Sequence, residues 1–301
     1  MKAQETKQTR RYFIQKSTLY LAGLPLASCA YAVPQAGEEK TKRLVRAGMI
    51  TDIHYANKPP RGTRYYRDSL PKLQDAVRHF NQIKPDFVVQ LGDFIDAGKT
   101  LNQEIDNLKK IESLYAKLSM PRHYVYGNHC LHSLTKKEFK QHTGKSKNYE
   151  SYDHNGVHFV ILDACHRSKD GVDYQRKNFT WKDSFIPPKQ MQWLANDLQK
   201  TKWPTVIFTH QRIDGLTQNN HRVTNASQVQ KIIQKSKRVL AVFQGHSHQN
   251  DYSQIQGIHY VTLKACVENQ GLQNKSYATL NIFSDGSIAV QGFGKQTPYQ
   301  L

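Results

Sequence analysis

Cysteine is scarce in this 301-residue chain: Cys29, Cys130, Cys165 and Cys266 stand far apart. That spacing matches no zinc knuckle and no disulfide framework. If the segment holding Cys29 is removed, at most one pair remains, and no bridge is expected. Long apolar runs are also missing. The mildly apolar stretch Leu19–Ala30 is short for a hydrocarbon core and is broken by Pro25, which argues against a transmembrane span. No internal repeat or low-complexity tract appears, so repeat architectures are excluded. Acidic residues are outnumbered, with 24 Asp and Glu against 43 Lys and Arg and a formal net charge of +19. Beyond residue 32 the balance is still 38 basic against 23 acidic residues. Such a surface attracts anions such as phosphorylated metabolites, nucleic acid or acidic lipid, or it serves solubility alone, because net charge locates no site. Apolar and charged contents of 38% and 22% describe an ordinary globular chain.

What is present begins with an address. Thr9-Arg10-Arg11-Tyr12-Phe13-Ile14-Gln15-Lys16 resembles the twin-arginine export pattern, and an apolar stretch follows it. Two endings compete. Ala30-Tyr31-Ala32 fits a small-x-small cleavage site, whereas Leu26-Ala27-Ser28-Cys29 resembles a bacterial lipobox with Cys29 as the lipid anchor. Residues 1–32 are therefore read as an export signal, 33–43 as a polar linker and 44–301 as one domain. The expected location is the periplasm, the exterior or the membrane surface of a bacterium.

From Leu44 the chain alternates strand-like and helix-like segments. Strands are expected at 44–51, 86–91, 124–126, 149–153, 157–163, 205–209 and 239–243, with three more in the C-terminal part. Helices are expected around 70–80, 101–118, 187–199 and 225–235; in the first, Leu70, Leu73, Ala76, Val77 and Phe80 form one apolar stripe. Asn155-Gly156 marks a hairpin and Asp285-Gly286 a turn. Five apolar strands stop where ligand-type residues begin. In open α/β sheets, sites collect at the carboxyl ends of strands, so Asp52, Asp93, Asn128, His210 and His246 can meet on one rim.

The fragments are Asp52-Ile53-His54, Gly92-Asp93-Phe94-Ile95-Asp96, Gly127-Asn128-His129, His210, and Gly245-His246-Ser247-His248. Each alone is weak, since an isolated Gly-Asp is commonly a turn and an isolated His a packed side chain. In this order, each after a strand, they are specific. Mixed oxygen and nitrogen ligation suits borderline divalent metals such as Mn, Fe, Zn or Co. Seven ligands exceed one tetrahedral zinc and suit two ions about 3.5–4 Å apart.

This ordered set resembles the calcineurin-like metallophosphoesterase superfamily over about residues 44–293. The resemblance implies an α/β fold, a four-layer αββα sandwich of two mixed sheets flanked by helices, with the metals at the carboxyl ends of strands. It implies one metal on Asp52, His54, Asp93 and His248 and another on Asp93, Asn128, His210 and His246. Asp93 would bridge, and Asp96 would orient a ligand histidine. It further implies that His129 contacts the scissile phosphate and, with Asn128, helps the leaving group depart. The family often carries an acidic residue where this chain has Cys130. Asp52-Ile53-His54-Tyr55-Ala56, Arg64-Tyr65-Tyr66-Arg67-Asp68-Ser69-Leu70 and Lys84-Pro85-Asp86-Phe87-Val88-Val89-Gln90-Leu91-Gly92-Asp93 look like the manganese-dependent ADP-ribose/CDP-alcohol diphosphatase group. Members of that group often have Gln where His54 stands.

The expected activity is hydrolysis of phosphate ester or diphosphate bonds by direct attack of a metal-bridging hydroxide, on a phosphorylated small molecule. Arg64 and Arg67 can clamp a second phosphate or pair with acids such as Asp68. Tyr55, Tyr65 and Tyr66 can stack a base or simply pack. The rivals are phosphomonoesterase, cyclic-nucleotide phosphodiesterase or nuclease chemistry on the same site, non-catalytic phosphate binding, and nucleic-acid binding through charge, which is not favoured.

Overall fold

The computed structural model describes residues 41–215 and 221–301, and Thr41–Leu301 form one compact unit. The leader 1–32, Cys29 and most of the 33–43 linker lie outside the described residues. Among the described residues, no helix is long and apolar enough to cross a membrane.

Twelve strands form two six-stranded sheets. The first contains β1 (Arg43–Ile50), β2 (Phe87–Gln90), β3 (Arg122–Tyr124), β10 (Ser276–Phe283), β11 (Ile288–Gly294) and β12 (Tyr299–Gln300), in the order β12-β11-β10-β1-β2-β3. The second contains β4 (Glu150–His154), β5 (Val157–Ile161), β6 (Thr205–Phe208), β7 (Val239–Gln244), β8 (Asp251–Ile255) and β9 (Ile258–Thr262), in the order β4-β5-β6-β7-β9-β8. The runs β1-β2-β3 and β5-β6-β7-β9 are parallel. The outer pairings are antiparallel.

Alternation along the strands sets the layers. Val45, Ala47 and Met49 of β1, Phe87 and Val89 of β2, Phe159 and Ile161 of β5, Val206 and Phe208 of β6 and Phe243 of β7 meet between the sheets. The other face of the first sheet packs Ile50 and Val88 against Leu73, Ala76, Val77 and Phe80 of α1 (Ser69–Ile83) and Leu108 and Ile111 of α2 (Leu101–Tyr115). α3 (Lys136–Thr143) adds Phe139 to the same cluster. The second sheet packs Val160, Ile207 and Val242 against Leu194 and Leu198 of α4 (Pro188–Lys200) and Val229 and Ile233 of α5 (Ala226–Ser236). The result is the expected four-layer αββα sandwich. Because both faces of the central strands are buried, they read as near-continuous apolar runs.

Three expectations need correction. Five strands, not three, follow β7. β8 is short, with an intermediate or exposed residue at every position but Ser253, and β12 has two residues, so neither carries an apolar run. The helix α3 was not expected, because only Phe139 supplies a large buried apolar side chain. Its start is fixed instead by a capping box between Thr135 and Glu138, and its end by Gly144 in the left-handed region. The third strand lies at 122–124, two residues earlier than expected and sharing Tyr124 with the expected segment; Tyr126 has left the ladder and packs on Phe139.

Candidate metal centre

Each ligand-type residue leaves the carboxyl end of a parallel strand. Asp52 and His54 follow β1, Asp93 follows β2 and Asn128 follows β3; His210 follows β6, and His246 and His248 follow β7. The two sheets stitch together at this end. The His210 Nδ1 lies 2.8 Å from the Leu91 carbonyl oxygen, and the backbone N–H of His246 donates to Oδ2 of Asp52 at 3.0 Å. Five of these residues hold φ between +46° and +70°: Asp52, His54, Asp93, His246 and His248. For non-glycine residues this region costs of order 1–3 kcal/mol each, and such strain collects at functional sites.

Two neighbouring glycines have no room for a side chain. A Cβ on Gly127 would lie 2.2 Å from Asp93 Oδ1, and one on Gly245 would lie 2.2 Å from Thr51 Oγ1 and 2.6 Å from Asp52 Oδ2. The motif glycines are therefore where backbone passes against the ligand carboxylates.

The donor atoms converge in two groups that share neighbours. Asp52, His54 and His248 form one, and Asp93, His210 and His246 the other, and a third set of His54, Asp93 and His129 lies between them, each with ligand atoms within 4.8 Å of one another. The Asp93 Oδ2 oxygen lies 3.3 Å from His54 Nε2 and 3.2 Å from His210 Nε2, so it reaches both. Asp52 Oδ1, Asn128 Oδ1, His210 Nε2 and His246 Nε2 are buried with no hydrogen-bond partner. Buried polar atoms normally have partners, and orphans from four separate loops around one point are what a cation pair would satisfy. The oxygen and nitrogen donor set fits two borderline divalent ions.

The remaining atoms of these side chains are fixed. Asp52 Oδ2 accepts from Thr51 Oγ1 at 2.7 Å, which leaves Oδ1 to face the site. Nδ1 of His54 lies 2.7 Å from Asp96 Oδ2, and Nδ1 of His248 lies 2.6 Å from Glu268 Oε1. Such carboxylate–histidine pairs set the ring orientation and raise ligand basicity. Burial would push these groups towards neutrality, but mutual charge wins. The Glu268 carboxyl falls to about 2 against its desolvation because His248 and Thr63 bond it. His248 rises to about 9 because Asp52 and Glu268 outweigh its burial. The Asp96 carboxyl is likewise buried, yet His129 and His54 hold it well below the carboxylate range.

The other expected site residues divide. His129 borders the centre, with Nδ1 3.2 Å from Asp96 Oδ2, and Arg64 lines the adjoining cleft. Tyr55 does not line it: its ring is buried in the helix-side core and its backbone pairs with the segment at Phe94 and Ile95. Arg67 does not line it either, and instead donates to Asn57 Oδ1 at 2.9 Å. Cys130 replaces the family's acidic residue with a neutral group: burial, aided by Asp93, pushes its thiol to about 12, and its sulfur accepts from the N–H of Phe94 at 3.2 Å. The expectations omitted Glu268, His132, Trp181, Lys58 and Arg61. Only His132 carried a readable signal, its spacing of three from His129.

The cleft over the donors has a volume of about 850 Å³, and Lys58, Arg61, Arg64, His132 and Trp181 are in its wall. A second chamber of about 540 Å³ shares Asn128, His129, His132 and Trp181 with it and adds Lys177, Phe179 and Lys182. A paired oxygen–nitrogen donor centre at the carboxyl rim of an αββα sandwich, opening on a cationic cleft, defines a metal-dependent hydrolase of phosphate esters.

The comparisons assign the family. The calcineurin-like phosphoesterase model matches residues 45–250, and the chain belongs to that family. It is 26% identical to the manganese-dependent ADP-ribose/CDP-alcohol diphosphatase of Bos taurus, over 89% of this chain and 96% of the relative. It is also 26% identical to the enzyme of the same name from Oryza sativa subsp. japonica, over 73% and 83%. In fold it is similar to a dimetal phosphatase from Danio rerio, with a TM-score of 0.75 and 19% identity over 86% of this chain and 99% of the other.

Proposed function

We propose that this protein hydrolyses the diphosphate bond of nucleotide conjugates, of the ADP-ribose or CDP-alcohol class, with two manganese ions. The observation that carries the reading is the convergence of orphaned donors beside a wall of Lys58, Arg61 and Arg64, where a second phosphate finds positive charge. The relatives' names supply the substrate class. Asp52, His54, Asp93 and His248 would hold one ion, and Asp93, Asn128, His210 and His246 the other. When bound, the ions supply Lewis acidity towards the phosphoryl oxygens and acidify water.

The chain's own residues do the rest. Arg64 orients the phosphate that is not attacked. The water oxygen bonds to phosphorus as the bridging P–O bond breaks, and the bond's electron pair leaves with the departing phosphate. His129, whose Nδ1 lies 3.2 Å from Asp96 Oδ2, gives its Nε2 proton to that oxygen, and the proton lost by the water passes to solvent. Asn128 sits beside the reacting group and stabilises its oxygens.

The test is a substrate panel on manganese-loaded protein: ADP-ribose, a CDP-alcohol, a phosphomonoester and a cyclic nucleotide. The diphosphates should have the highest kcat/KM. A monoester or cyclic nucleotide cleaved about ten times faster would replace this reading by phosphomonoesterase or phosphodiesterase action. His129→Ala should retain both metals while kcat falls about 10²–10⁴-fold. We also propose export, on the strength of Arg10-Arg11 and the apolar stretch after them. A double Lys substitution at that arginine pair should leave the protein in the cytoplasmic fraction.

A further inference from the structure

His132 follows His129 by three residues, on the single 3-10 turn His129–Leu131 that it caps. On such a turn, side chains three apart eclipse, with about 6 Å of rise between them. The two histidines therefore leave the turn in the same direction, one step apart. Both line the metal cleft and both line the second chamber.

Both rings face buried carboxylates, and the His132 ring is hydrogen-bonded to its own. Asp96 faces Nδ1 of His129 at 3.2 Å, and Glu104 faces Nδ1 of His132 at 2.8 Å. Glu104 is fully buried and is itself held by the N–H of Ser133 at 2.9 Å, the Ser133 hydroxyl at 2.8 Å and the N–H of Gly98 at 3.0 Å. Burial would raise its carboxyl pKa, but the bonds from His132, Ser133 and Gly98 lower it. The turn is tied to the far wall of the second chamber, because the N–H of Lys177 donates to the His132 carbonyl at 2.6 Å. The His132 side chain is 30% exposed, and its Nε2 makes no hydrogen bond among the described residues. This is a pre-oriented imidazole, committed at one nitrogen and open to the cleft at the other.

A leaving phosphate differs from a leaving alcohol in carrying charged oxygens one bond beyond the broken one. His129 meets the bridging oxygen, so the next donor along the turn faces those further oxygens. We propose that His132, held by Glu104, binds the leaving phosphate and biases this site towards diphosphates over simple esters. The assignment rests on the diphosphatase reading above.

The test uses manganese-loaded protein at fixed free metal. Dissociation constants for methylenediphosphonate, which cannot be hydrolysed at its P–C–P bridge, and for inorganic phosphate are measured by calorimetry in wild type, His132→Ala and His132→Phe. The kcat/KM for ADP-ribose and for bis(4-nitrophenyl) phosphate is measured in parallel. Wild type should bind methylenediphosphonate more tightly than phosphate. Both variants should weaken methylenediphosphonate about tenfold or more, with phosphate changed by about twofold at most, as expected for one lost charge-assisted bond. The kcat/KM ratio of diphosphate to diester should fall in step. Equal losses on both ligands, no loss, or no wild-type preference for methylenediphosphonate would overturn the assignment. His132→Phe keeps the ring's packing, and melting temperatures check that both variants fold. If wild type cleaves no diphosphate but the methylenediphosphonate loss is seen, the diphosphatase reading fails and the His132 subsite stands. If wild type cleaves diphosphates and neither variant shows a selective loss, the diphosphatase reading stands and the His132 subsite fails.

Discussion

The Asp96 carboxylate places one oxygen 2.7 Å from Nδ1 of His54. That oxygen also lies 3.2 Å from Nδ1 of His129, while the other accepts from Nζ of Lys58 at 2.6 Å. A single buried side chain thus faces a candidate metal donor, the proposed acid and a cation of the cleft wall. Asp96→Asn keeps the shape and removes the charge. Metal affinity should fall about 10–100-fold, the range for such supporting groups, and kcat should fall further than metal loss explains because His129 also loses its anchor. Titration with manganese, followed by kcat at saturating metal, separates the two effects.

Gly245 lies where backbone passes the Thr51–Asp52 hydrogen bond. A methyl group there cannot fit without parting those two side chains, and Asp52 then loses the orientation that presents Oδ1. Gly245→Ala should leave the protein folded while it binds fewer than two metals per chain. Elemental analysis with a melting curve checks it; full metal content would show that the loop yields.

Lys72 of α1 is fully buried, and its Nζ donates to the carbonyls of Cys266, Glu268 and Asn269 at 2.8–2.9 Å. This is the segment that presents Glu268 to His248. Lys72→Met keeps the stem and strips three carbonyls of their donor. At about 1–3 kcal/mol for an unsatisfied buried group, partly relieved by water, the expected loss is about 2–4 kcal/mol in urea unfolding. Manganese affinity should weaken as well, because His248 is less firmly held.

The candidate donor positions after β1, β2, β6 and β7 were legible because those strands end in residues buried on both faces. Their apolar runs end abruptly, and Asp52, Asp93 and His210 follow two or three residues after the last residue of β1, β2 and β6. Positions that depend on chain paths meeting in space were not legible. Glu268 reaches His248 from an irregular segment twenty residues on, with no periodicity to mark it. Tyr55 was expected at the cleft as a ring that could stack a base, but its backbone pairs with Phe94 and Ile95 and its ring lies in the core. The α3 helix was hidden for a related reason, since capping rather than an apolar stripe defines it.

His158 offers a test away from the metals. Its Nδ1 lies 2.6 Å from Asp153 on the edge strand β4, and its Nε2 lies 2.9 Å from Asp197 on α4. An imidazole that serves two carboxylates must donate from both nitrogens, so the folded state favours the charged ring. Burial opposes this, but Asp197 and Asp153 outweigh it and raise the pKa above its ordinary value of about 6.5. A group whose folded pKa is raised contributes fully below its unfolded value and loses that contribution as pH climbs through the folded one. Urea unfolding of wild type and His158→Gln at about pH 6 and about pH 9 reads this directly. The substitution should cost about 1–2 kcal/mol at the lower pH and distinctly less at the higher. An equal cost at both would mean that His158 is held by packing alone, with its ring uncharged between the two acids.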